Sequence, residues 1–459
     1  MALLSILSKV LEKVVFMQVV EYMENNGLIH PSHHGSRAKH STCTAVIEMY
    51  DTWAESVERE DMAGVMMLDL SAAFDLVDHQ LLLQKLELMG FDRPAVVWMW
   101  SYLHARSQCV YVDGKLSGFE VVKAGVPQGS VLGALLYILF VNDLPEVVHG
   151  HPGKGYPGHG NNNQQQKQVF FNINCRKCGS LCCYVDGSTF MYSSSDPAQL
   201  SDKLSMQYKN IAEYMGDNKL VINNDKTHLL VMGSKKHEEA RSMVHINTGT
   251  VVISPVETEK LLGINIHQSL KWQEHVLSNK KSLINMLNTR LSALKRVSRN
   301  ASFGTRLMVG NACFMSVIVY MIAVWGGTER YILKAVQLMQ NRAARCITKL
   351  DWFTPVEILL KQCNWLSIRQ LVFFHTAIQV YKVKMSQCPE YIHSKYTPSN
   401  TRSASQGTLL VPAVQKSFSS KSFVVRSAST WNQIPPTLRN LQNLNRISNM
   451  DSRNGQERT

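Results

Sequence analysis

Apolar residues recur at three- and four-residue steps in several parts of the chain, the spacing that places side chains on one face of a helix. The first 60 residues contain two such stripes, and the C-terminal half contains a third. The stripes consist of Leu4, Leu7, Leu11, Val14 and Val15, of residues 45–57, and of Leu283, Met286, Leu287, Leu291 and Leu294. Helices are also predicted over residues 80–88, 132–140 and 197–215 and through most of the C-terminal third.

Strand patterns lie between these helices. Residues 61–75 are an apolar run ending in small and polar residues, which predicts a buried strand that leads into a turn. Asp113 and Gly114 are a strong type I′ turn signal, so residues 110–122 are predicted to form a hairpin. Short strands are predicted near residues 182–194, over 220–233 and over 250–266. The pattern therefore alternates helices with short strand pairs.

Charge narrows the class of partner. The 459 residues carry a formal net charge of +13, and 45% of them are hydrophobic, which excludes a chain disordered throughout. Residues 271–350 alone contain 13 Lys and Arg but only two acids, Glu274 and Glu329. A basic segment of this kind indicates contact with nucleic acid, although a solvated helix face is the alternative for any single lysine. The longest uncharged apolar run, residues 131–141, is too short to span a membrane.

Two carboxylates stand in apolar strands. Asp69 ends the run VMMLDL, and Asp186 follows LCCYV at a predicted hairpin tip. Either residue alone is more typical of a turn or a helix cap. Together they can meet at one end of an antiparallel sheet, where paired carboxylates hold the Mg²⁺ ions of two-metal phosphoryl transfer.

Five blocks give these carboxylates a context. They are LDLSAAFDLVDH (68–79), AGVPQGSVLGALLYILFVNDLP (124–145), YVDG (184–187), NNDKT (223–227) and LLGINI (261–266). In this order they resemble the palm motifs of reverse transcriptases, specifically those of LINE-type (non-LTR) retrotransposons, from about residue 4 to residue 440. The resemblance implies an α+β, right-hand polymerase with fingers, an antiparallel palm sheet and a thumb. The implied reaction is attack of a primer 3′-OH on the α-phosphate of a dNTP, directed by an RNA template.

On this resemblance the chain divides into seven segments. They are partial fingers (1–60), palm with fingers-type insertions (61–148), a low-complexity and cysteine-containing insertion (149–180), the palm continuation (181–266), a basic helical thumb (267–350), a C-terminal helical extension (351–440) and a disordered tail (441–459).

The resemblance also assigns roles at the reacting centre. Asp69 and Asp186 are expected to bind Mg²⁺, with Mn²⁺ as an alternative ion, and the Leu70 carbonyl is expected beside them. Lys226 is expected to act as the general acid for the pyrophosphate leaving group. On the sequence alone, Lys226 could equally be an ordinary lysine at a strand end.

Further residues are expected to contact substrates. Phe74 would lie under the incoming sugar and exclude a 2′-hydroxyl, with a core aromatic as the alternative. The turn of Pro127, Gln128, Gly129 and Ser130 would face the template and the nucleotide, which requires a glycine for close approach. The remaining candidates are Arg37 and Lys39 for triphosphate or template, Tyr184 at the hairpin tip, and Gly263 in a primer-grip turn.

Two positions depart from the family pattern. The family has two adjacent acids after the aromatic residue at the hairpin tip, but Gly187 replaces the second here. Loss of that charge where cations and phosphates collect predicts an inactive or severely impaired enzyme. Ser36 stands where the family usually has Phe. The alternative function is therefore a non-catalytic protein that binds RNA or DNA.

The extent of the chain suggests a truncated and degenerate copy of a longer element. It begins inside the fingers, and no segment has the length of the endonuclease domain expected upstream. We therefore expect an RNA template, a DNA primer and dNTP as partners, an endonuclease supplied in trans, and no membrane contact. The nucleus is the location that the resemblance implies.

Four cysteines crowd between residues 175 and 183. Cys175 and Cys178 form a CxxC pair that could be half of a zinc site, with His149, His151 or His159 as further ligands. No second pair follows at a standard spacing, so reduced, buried thiols are the favoured interpretation.

Three aromatic residues of the C-terminal region, Trp365, Phe423 and Trp431, have two interpretations. They could stack on RNA bases. The favoured alternative is that they anchor a small helical core.

Overall fold

The computed structural model describes residues 4–148, 180–185, 187–278, 280–399, 407–414 and 422–439. The second predicted metal ligand, Asp186, lies outside the described residues. So do Cys175 and Cys178 with the histidines considered for zinc, most of the predicted insertion, and the predicted tail. Within the described residues, no helix is both long enough and apolar enough to cross a membrane.

The described residues form eighteen α-helices. In chain order they are α1 (Ile6–Asn25), α2 (Thr42–Glu58), α3 (His79–Leu88), α4 (Arg93–Leu103), α5 (Gly133–Phe140), α6 (Leu144–Val148), α7 (Pro197–Asp217), α8 (Glu238–Met243), α9 (Leu283–Val297), α10 (Phe303–Val309), α11 (Ser316–Val319), α12 (Ile322–Trp325), α13 (Arg330–Thr348), α14 (Val356–Gln362), α15 (Ile368–Lys384), α16 (Glu390–His393), α17 (Phe423–Asn432) and α18 (Pro436–Arg439).

The strands in the described residues are short. They are β1 (Met62–Leu68), β2 (Leu70–Ser71), β3 (Ser107–Gln108), β4 (Tyr111–Val112), β5 (Lys115–Leu116), β6 (Glu120–Val121), β7 (Ser180–Tyr184), β8 (Gly187–Ser194), β9 (Val221–Ile222), β10 (His228–Met232), β11 (Ile246–Asn247), β12 (Val252–Ile253), β13 (Pro255–Val256), β14 (Thr258–Leu261) and β15 (Ile264–His267).

The chain divides into two compact units. Unit 1 contains Met1–Ser41 and Asp61–Val256, and unit 2 contains Thr42–Glu60 and Glu257–Thr459. Helix α2 therefore belongs with elements more than 200 residues further along the chain. The seven predicted segments are a finer division and stay a prediction.

A five-stranded sheet forms the centre of unit 1. Its strand order is β13-β10-β1-β8-β7, and all neighbours are antiparallel except β10 and β13. Strand β1 lies in the middle, and all seven of its residues are buried, as its uninterrupted apolar sequence predicts.

Helix α7 covers this sheet through a close contact at Gly64. A Cβ atom on Gly64 would lie 2.8 Å from a methyl carbon of Leu204, so only glycine permits this approach. Leu200 and Leu204 are fully buried there. The helix is fixed at its start by Asp196, whose carboxylate accepts a hydrogen bond from the amide of Ala198.

Unit 2 is mainly helical and contains the β14–β15 hairpin. The buried carboxylate of Asp51 in α2 accepts hydrogen bonds from the amides of Phe423 and Val424 at 2.8 and 3.2 Å. It thereby caps the first turn of α17. The ring of Tyr50 stacks on Trp272 with centroids 5.0 Å apart. These contacts explain why α2 belongs to unit 2.

Most of the long predicted elements are confirmed. Helices α3, α5 and α7 occupy the three predicted ranges within two residues at each end. The predicted hairpin forms as two small pairs, β3–β6 and β4–β5, and Asp113 and Gly114 have the positive φ angles of its turn. The strand predicted over 61–75 ends at Leu68, and Ala72 begins the turn in a left-handed conformation.

The C-terminal aromatic residues are core residues. Trp365, Phe423 and Trp431 are buried. The indole N–H of Trp365 donates to the Oδ1 atom of Asn311 at 2.7 Å, and that of Trp431 donates to the Gly407 carbonyl at 3.0 Å. The base-stacking interpretation of these three residues is therefore wrong, and the core interpretation is confirmed.

Candidate active site

The end of β1 and the turn of the β7–β8 hairpin lie at the same edge of the sheet. Leu68 pairs with Ser188 across the β1–β8 ladder, and Asp69 follows directly. Tyr184 pairs with Gly187 to close the hairpin, and Val185 lies in its turn with a φ of +58°. The register thus brings the carboxyl end of β1 to the hairpin tip, although the side chain of Asp186 lies outside the described residues.

Asp69 and Lys226 face each other at this edge. The amide of Asn223 donates to the Asp69 carbonyl at 2.9 Å, which ties the β9–β10 connection to the end of β1. The Nζ atom of Lys226 lies 3.4 Å from Oδ2 of Asp69, and the two side chains are 67% and 38% exposed. An exposed pair of this kind contributes at most about 1 kcal/mol to stability, so each charge remains available to a ligand.

Phe74 lies in the loop that follows β2. Its carbonyl accepts a hydrogen bond from the amide of Val126 at 2.7 Å. Its half-buried ring lies 5.2 Å from the ring of Tyr137 in α5. Gly125 has a φ of +89°, and a Cβ there would lie 2.7 Å from the Asp75 carbonyl oxygen. Glycine at this position allows the two loops to touch.

The Pro127–Ser130 turn continues from that contact. Ser130 Oγ donates to the Pro127 carbonyl at 2.8 Å and closes the turn. Gly129 has a φ of +101°, a conformation that favours glycine. The exposed amide of Gln128 points toward Asp75, with Nε2 at 3.4 Å from both carboxylate oxygens. The turn is rigid at its base and presents Gln128 to solvent.

Glu12 supports this turn from behind, and the sequence analysis missed it. Its carboxylate is almost fully buried, and Oε2 accepts hydrogen bonds from the amides of Val131 and Leu132 at 2.6 and 3.2 Å. These amides follow Ser130 and lead into α5. An acid within an apolar helical stripe is the signal that could have identified it, because a buried carboxylate requires donors.

Arg37 is engaged with a carboxylate and two backbone carbonyls. Its guanidinium makes a two-point ion pair with Glu24, at 2.8 and 2.9 Å, and Nη1 also donates to the carbonyls of His30 and His33. Burial would raise the pKa of Glu24, but the hydrogen bonds and charge of Arg37 outweigh it and lower that pKa. Its contact with triphosphate or template, like that of the exposed Lys39, stays a prediction.

The segment before Arg37 lies against the β7–β8 hairpin. The amide of Cys183 donates to the Ser32 carbonyl at 2.8 Å, and the amide of His34 donates to the Cys183 carbonyl at 2.9 Å. A Cβ on Gly35 would lie 2.8 Å from a methyl group of Val185. Ser36, where the family has Phe, follows with a φ of +53°. Residues 32–35 therefore support the strand that leads to the hairpin tip.

The thiols of Cys182 and Cys183 are buried beneath this segment. Burial raises the pKa of the Cys183 thiol to about 12. These two cysteines are therefore the inert core thiols that the sequence analysis favoured.

Gly187 leaves room for a side chain. Among the described residues, a Cβ at this position would meet only the Tyr184 carbonyl oxygen, at an ordinary 3.7 Å, and its φ lies outside the positive range. The backbone therefore does not require glycine here, and there is room for a Cβ atom.

The donor set can be judged against Mg²⁺, which binds one or two carboxylates and keeps several waters. The Asp69 carboxylate is partly exposed, so it could bind a cation and leave the other coordination positions to water. Lys226 already interacts with this carboxylate, which shows that its negative charge is accessible. Within the described ranges, which omit Asp186, no three His, Cys, Asp or Glu side chains form a group that could hold a metal. Asp69 can serve as one ligand of a Mg²⁺ ion, and Gly187 offers no carboxylate beside it.

Gly263 is part of unit 2. It has a φ of +91° in the turn of the β14–β15 hairpin, and a Cβ there would lie 3.2 Å from the ring of Tyr320. The hydroxyl of Tyr320 donates to the Leu262 carbonyl at 2.7 Å. Its predicted contact with a primer stays a prediction.

Among solved structures, two of telomerase from Candida tropicalis resemble the chain distantly. The apo form has a TM-score of 0.39 at 13% identity and covers 84% of this chain and 61% of its own. The form in complex with a TWJ fragment of telomeric RNA has a TM-score of 0.38 at 12% identity, covering 78% and 56%.

Curated relatives come from Drosophila. The probable RNA-directed DNA polymerase from transposon BS of Drosophila melanogaster is 25% identical over 376 residues, which is 82% of this chain and 39% of the relative. The RNA-directed DNA polymerase from mobile element jockey of Drosophila funebris is 23% identical over 354 residues, 77% of this chain and 36% of the relative. The chain thus spans about two fifths of the length of these relatives.

The family profile described as reverse transcriptase (RNA-dependent DNA polymerase) matches residues 1–266, more than half of the chain. This match includes the end of β1, the Pro127–Ser130 turn and the β7–β8 hairpin. The chain therefore belongs to the reverse transcriptase family, in the group carried by LINE-type, non-LTR retrotransposons.

Proposed function

We propose that this chain is the polymerase part of a right-hand RNA-directed DNA polymerase, with unit 1 as its palm and fingers. The reaction is two-metal nucleotidyl transfer from a dNTP to a primer 3′-OH. The observation that carries the proposal is the register of the sheet, which puts Asp69 at the hairpin tip, together with the 3.4 Å approach of Lys226. An exposed carboxylate and ammonium at one strand edge suit a substrate that brings both a triphosphate and cations.

Three residues would bind the metal ions in this proposal. Asp69, the Leu70 carbonyl and Asp186 would hold Mg²⁺ or Mn²⁺, which supplies positive charge beside the triphosphate. Lys226 donates a proton from Nζ to the departing pyrophosphate. Its present partner, Asp69, releases it easily because both side chains are exposed.

The loops beside Asp69 position the substrates. Phe74 presents its ring to the sugar of the incoming nucleotide, held by the contact of its carbonyl with Val126. Gln128 reaches the nucleotide or the template from a turn whose base is fixed by Ser130. RNA template, DNA primer and dNTP are thus the substrates proposed for the whole protein, and its nuclear location stays a prediction.

We further propose that Gly187 makes this copy inactive or severely impaired. Stabilisation of developing charge is the main source of rate in phosphoryl transfer, and loss of one stabilising group commonly costs on the order of 10²–10³ in rate. The space at Gly187 supports a defect that Gly187→Asp can repair, since a Cβ atom at this position lies at an ordinary distance from the Tyr184 carbonyl.

Primer extension on poly(rA)/oligo(dT), in Mg²⁺ and then in Mn²⁺, tests both statements. The protein itself, Gly187→Asp, and Gly187→Asp combined with Asp69→Ala are compared. We expect extension by Gly187→Asp alone, at least about 10²-fold above the unaltered protein. Extension by the unaltered protein at a similar rate would show that the second acid is dispensable.

A second candidate is a nucleic-acid-binding protein without catalysis. The exposed basic side chains Arg290, Lys295 and Arg296 on α9 favour it, because they remain whatever residue occupies position 187. It becomes the better description if Gly187→Asp folds and binds primer–template but extends no primer.

A further inference from the structure

The loop between α13 and α14 exposes two large aromatic side chains. Trp352 is 70% exposed and Phe353 is 90% exposed, whereas Trp53, Trp325 and Trp431 are fully buried. We name residues 350–354 the Trp–Phe loop. A tryptophan and a phenylalanine side by side in solvent bury little apolar surface in the folded chain, which marks an interaction site.

The Trp–Phe loop has a defined backbone. The amide of Phe353 donates to Oδ1 of Asp351 at 2.9 Å, and the amide of Thr354 donates to the Asp351 carbonyl at 3.1 Å. These bonds form an Asx turn and a reverse turn, which fix the direction of both rings' Cα–Cβ bonds. The backbone that carries the aromatic pair is therefore ordered before a ligand binds, so binding costs less conformational entropy.

One cationic side chain packs on Trp352, and a second precedes the aromatic pair in the chain. The guanidinium of Arg345 lies 4.8 Å from the centroid of the Trp352 ring, and its Nη2 donates to the Trp352 carbonyl at 3.4 Å. Lys349 ends α13 in a left-handed conformation, and its Nζ lies 3.5 Å from the Arg299 carbonyl. The acid of the loop, Asp351, is engaged with the Phe353 amide.

We propose that the Trp–Phe loop stacks on unpaired bases of single-stranded nucleic acid, while Arg345 and Lys349 bind the adjacent phosphates. Flat aromatic rings next to fixed positive charges match a ligand that alternates flat bases with anionic phosphates. Duplex bases are already stacked on one another and offer no free face along the helix. A protein or lipid partner could use the aromatic rings, but the two cations, Arg345 and Lys349, favour a polyanion.

This proposal does not depend on the polymerase reaction. The loop belongs to unit 2, and its residues lie outside the matched region 1–266. Binding can therefore be measured on the protein as it exists, whether or not Gly187 permits catalysis.

The test is fluorescence anisotropy with labelled dT20, U20 and a blunt 20-base-pair duplex. The full chain is compared with Trp352→Ala, Phe353→Ala and the double variant. Each lost stacking contact should weaken binding to a single strand at least about fivefold and leave duplex binding within about twofold. The dT20 and U20 arms show whether the loop prefers DNA or RNA.

Trp100→Ala is the control, because Trp100 is a partly exposed tryptophan, 49% accessible, that lies on α4 of unit 1. Its affinity for single strands should stay within twofold of the unaltered protein. Single-strand affinity that is unchanged in the double variant would overturn the proposal, as would equal losses for duplex and single strand. Failure of the unaltered protein to bind either oligonucleotide would overturn it as well.

The phosphate contacts have a separate readout. Lys349→Ala and Arg345→Ala should each lower the slope of log affinity against log salt by about 0.7 for a single strand. An unchanged slope in both variants would remove the phosphates from the proposal. Melting temperatures close to that of the unaltered protein show that the exposed loop, and not the fold, was changed.

Discussion

The open edge of the unit 1 sheet and the buried polar layer behind it use charge in opposite ways. At the open edge, Asp69 and Lys226 are exposed and share one long contact. Behind it, Glu12 is buried and accepts two backbone hydrogen bonds. The difference teaches that polar groups free to meet a ligand contribute little to folding, while the groups that hold the loops in place contribute much. Substitutions in the two regions should therefore separate activity from stability.

Low pH should have the largest effect on stability, through the buried side chains of His33 and His34. Burial, together with nearby positive charge, lowers the pKa of His33 to about 4 and that of His34 to about 3. Unfolded histidine titrates near 6.5, so the stability that these neutral rings confer is present above that pH and is lost as pH falls toward 4. Between pH 6.5 and pH 4, each histidine should lower the free energy of unfolding by on the order of 3 kcal/mol.

Urea denaturation at a series of pH values measures this loss. Double substitution of His33 and His34 by Gln should flatten the profile between pH 6.5 and 4. A profile equally steep in the double variant would assign the acid sensitivity to other groups. Because the amide of His34 donates to the carbonyl of Cys183, the hairpin should loosen in the same pH range.

Glu12→Ala should have the next largest effect. It leaves the amides of Val131 and Leu132 without their acceptor, and loss of a buried charged acceptor costs about 2–4 kcal/mol. Hydrogen exchange at these two amides is the local measurement and should accelerate. Glu12→Gln keeps one acceptor oxygen and should recover part of the loss. Slow exchange in Glu12→Ala would mean that the turn stays ordered without the hydrogen bonds to Glu12.

Two glycines at the hairpin make a matched pair. Gly35→Ala would push a methyl group to 2.8 Å from Val185 and should cost about 1–3 kcal/mol, as overpacked sites do. Gly187→Ala meets only an oxygen at 3.7 Å and should stay within about 0.5 kcal/mol of the unaltered protein. Comparison of urea midpoints tests this, and equal midpoints for the two variants would contradict the packing of residues 32–35 on the hairpin.

The elements that the sequence predicted well are those set by local patterns. Helices α3 and α7 have regular apolar spacing, α5 is apolar throughout, and β1 has seven consecutive buried residues. The family resemblance assigned Asp69 and Lys226 to one reacting centre, and their Oδ2 and Nζ atoms lie 3.4 Å apart. Local patterns suffice here because each element buries a continuous face of its own.

Contacts that join distant segments could not be predicted in the same way. The apolar stripe in α1 correctly predicted a helix but not which face of it is buried. Leu7, Leu11 and Val14 are exposed, whereas Glu12 is buried. Nothing local in Ser32 or Cys183 indicates that they share a hydrogen bond. The assignment of α2 to unit 2 likewise depends on residues near 423. Such pairings are decided by which surfaces remain available once the elements form.

The smallest effect on stability should come from the centre of the candidate site. Lys226→Met removes an exposed ion pair with Asp69 and should change the free energy of unfolding by less than about 1 kcal/mol. In a Gly187→Asp background the same change should slow primer extension by about 10²–10⁴-fold, the usual contribution of a general acid. Lys226→Arg keeps the charge but gives up a readily transferred proton, so it should restore stability without restoring the rate. A large loss of stability with little loss of rate would reverse the comparison and make Lys226 a structural residue.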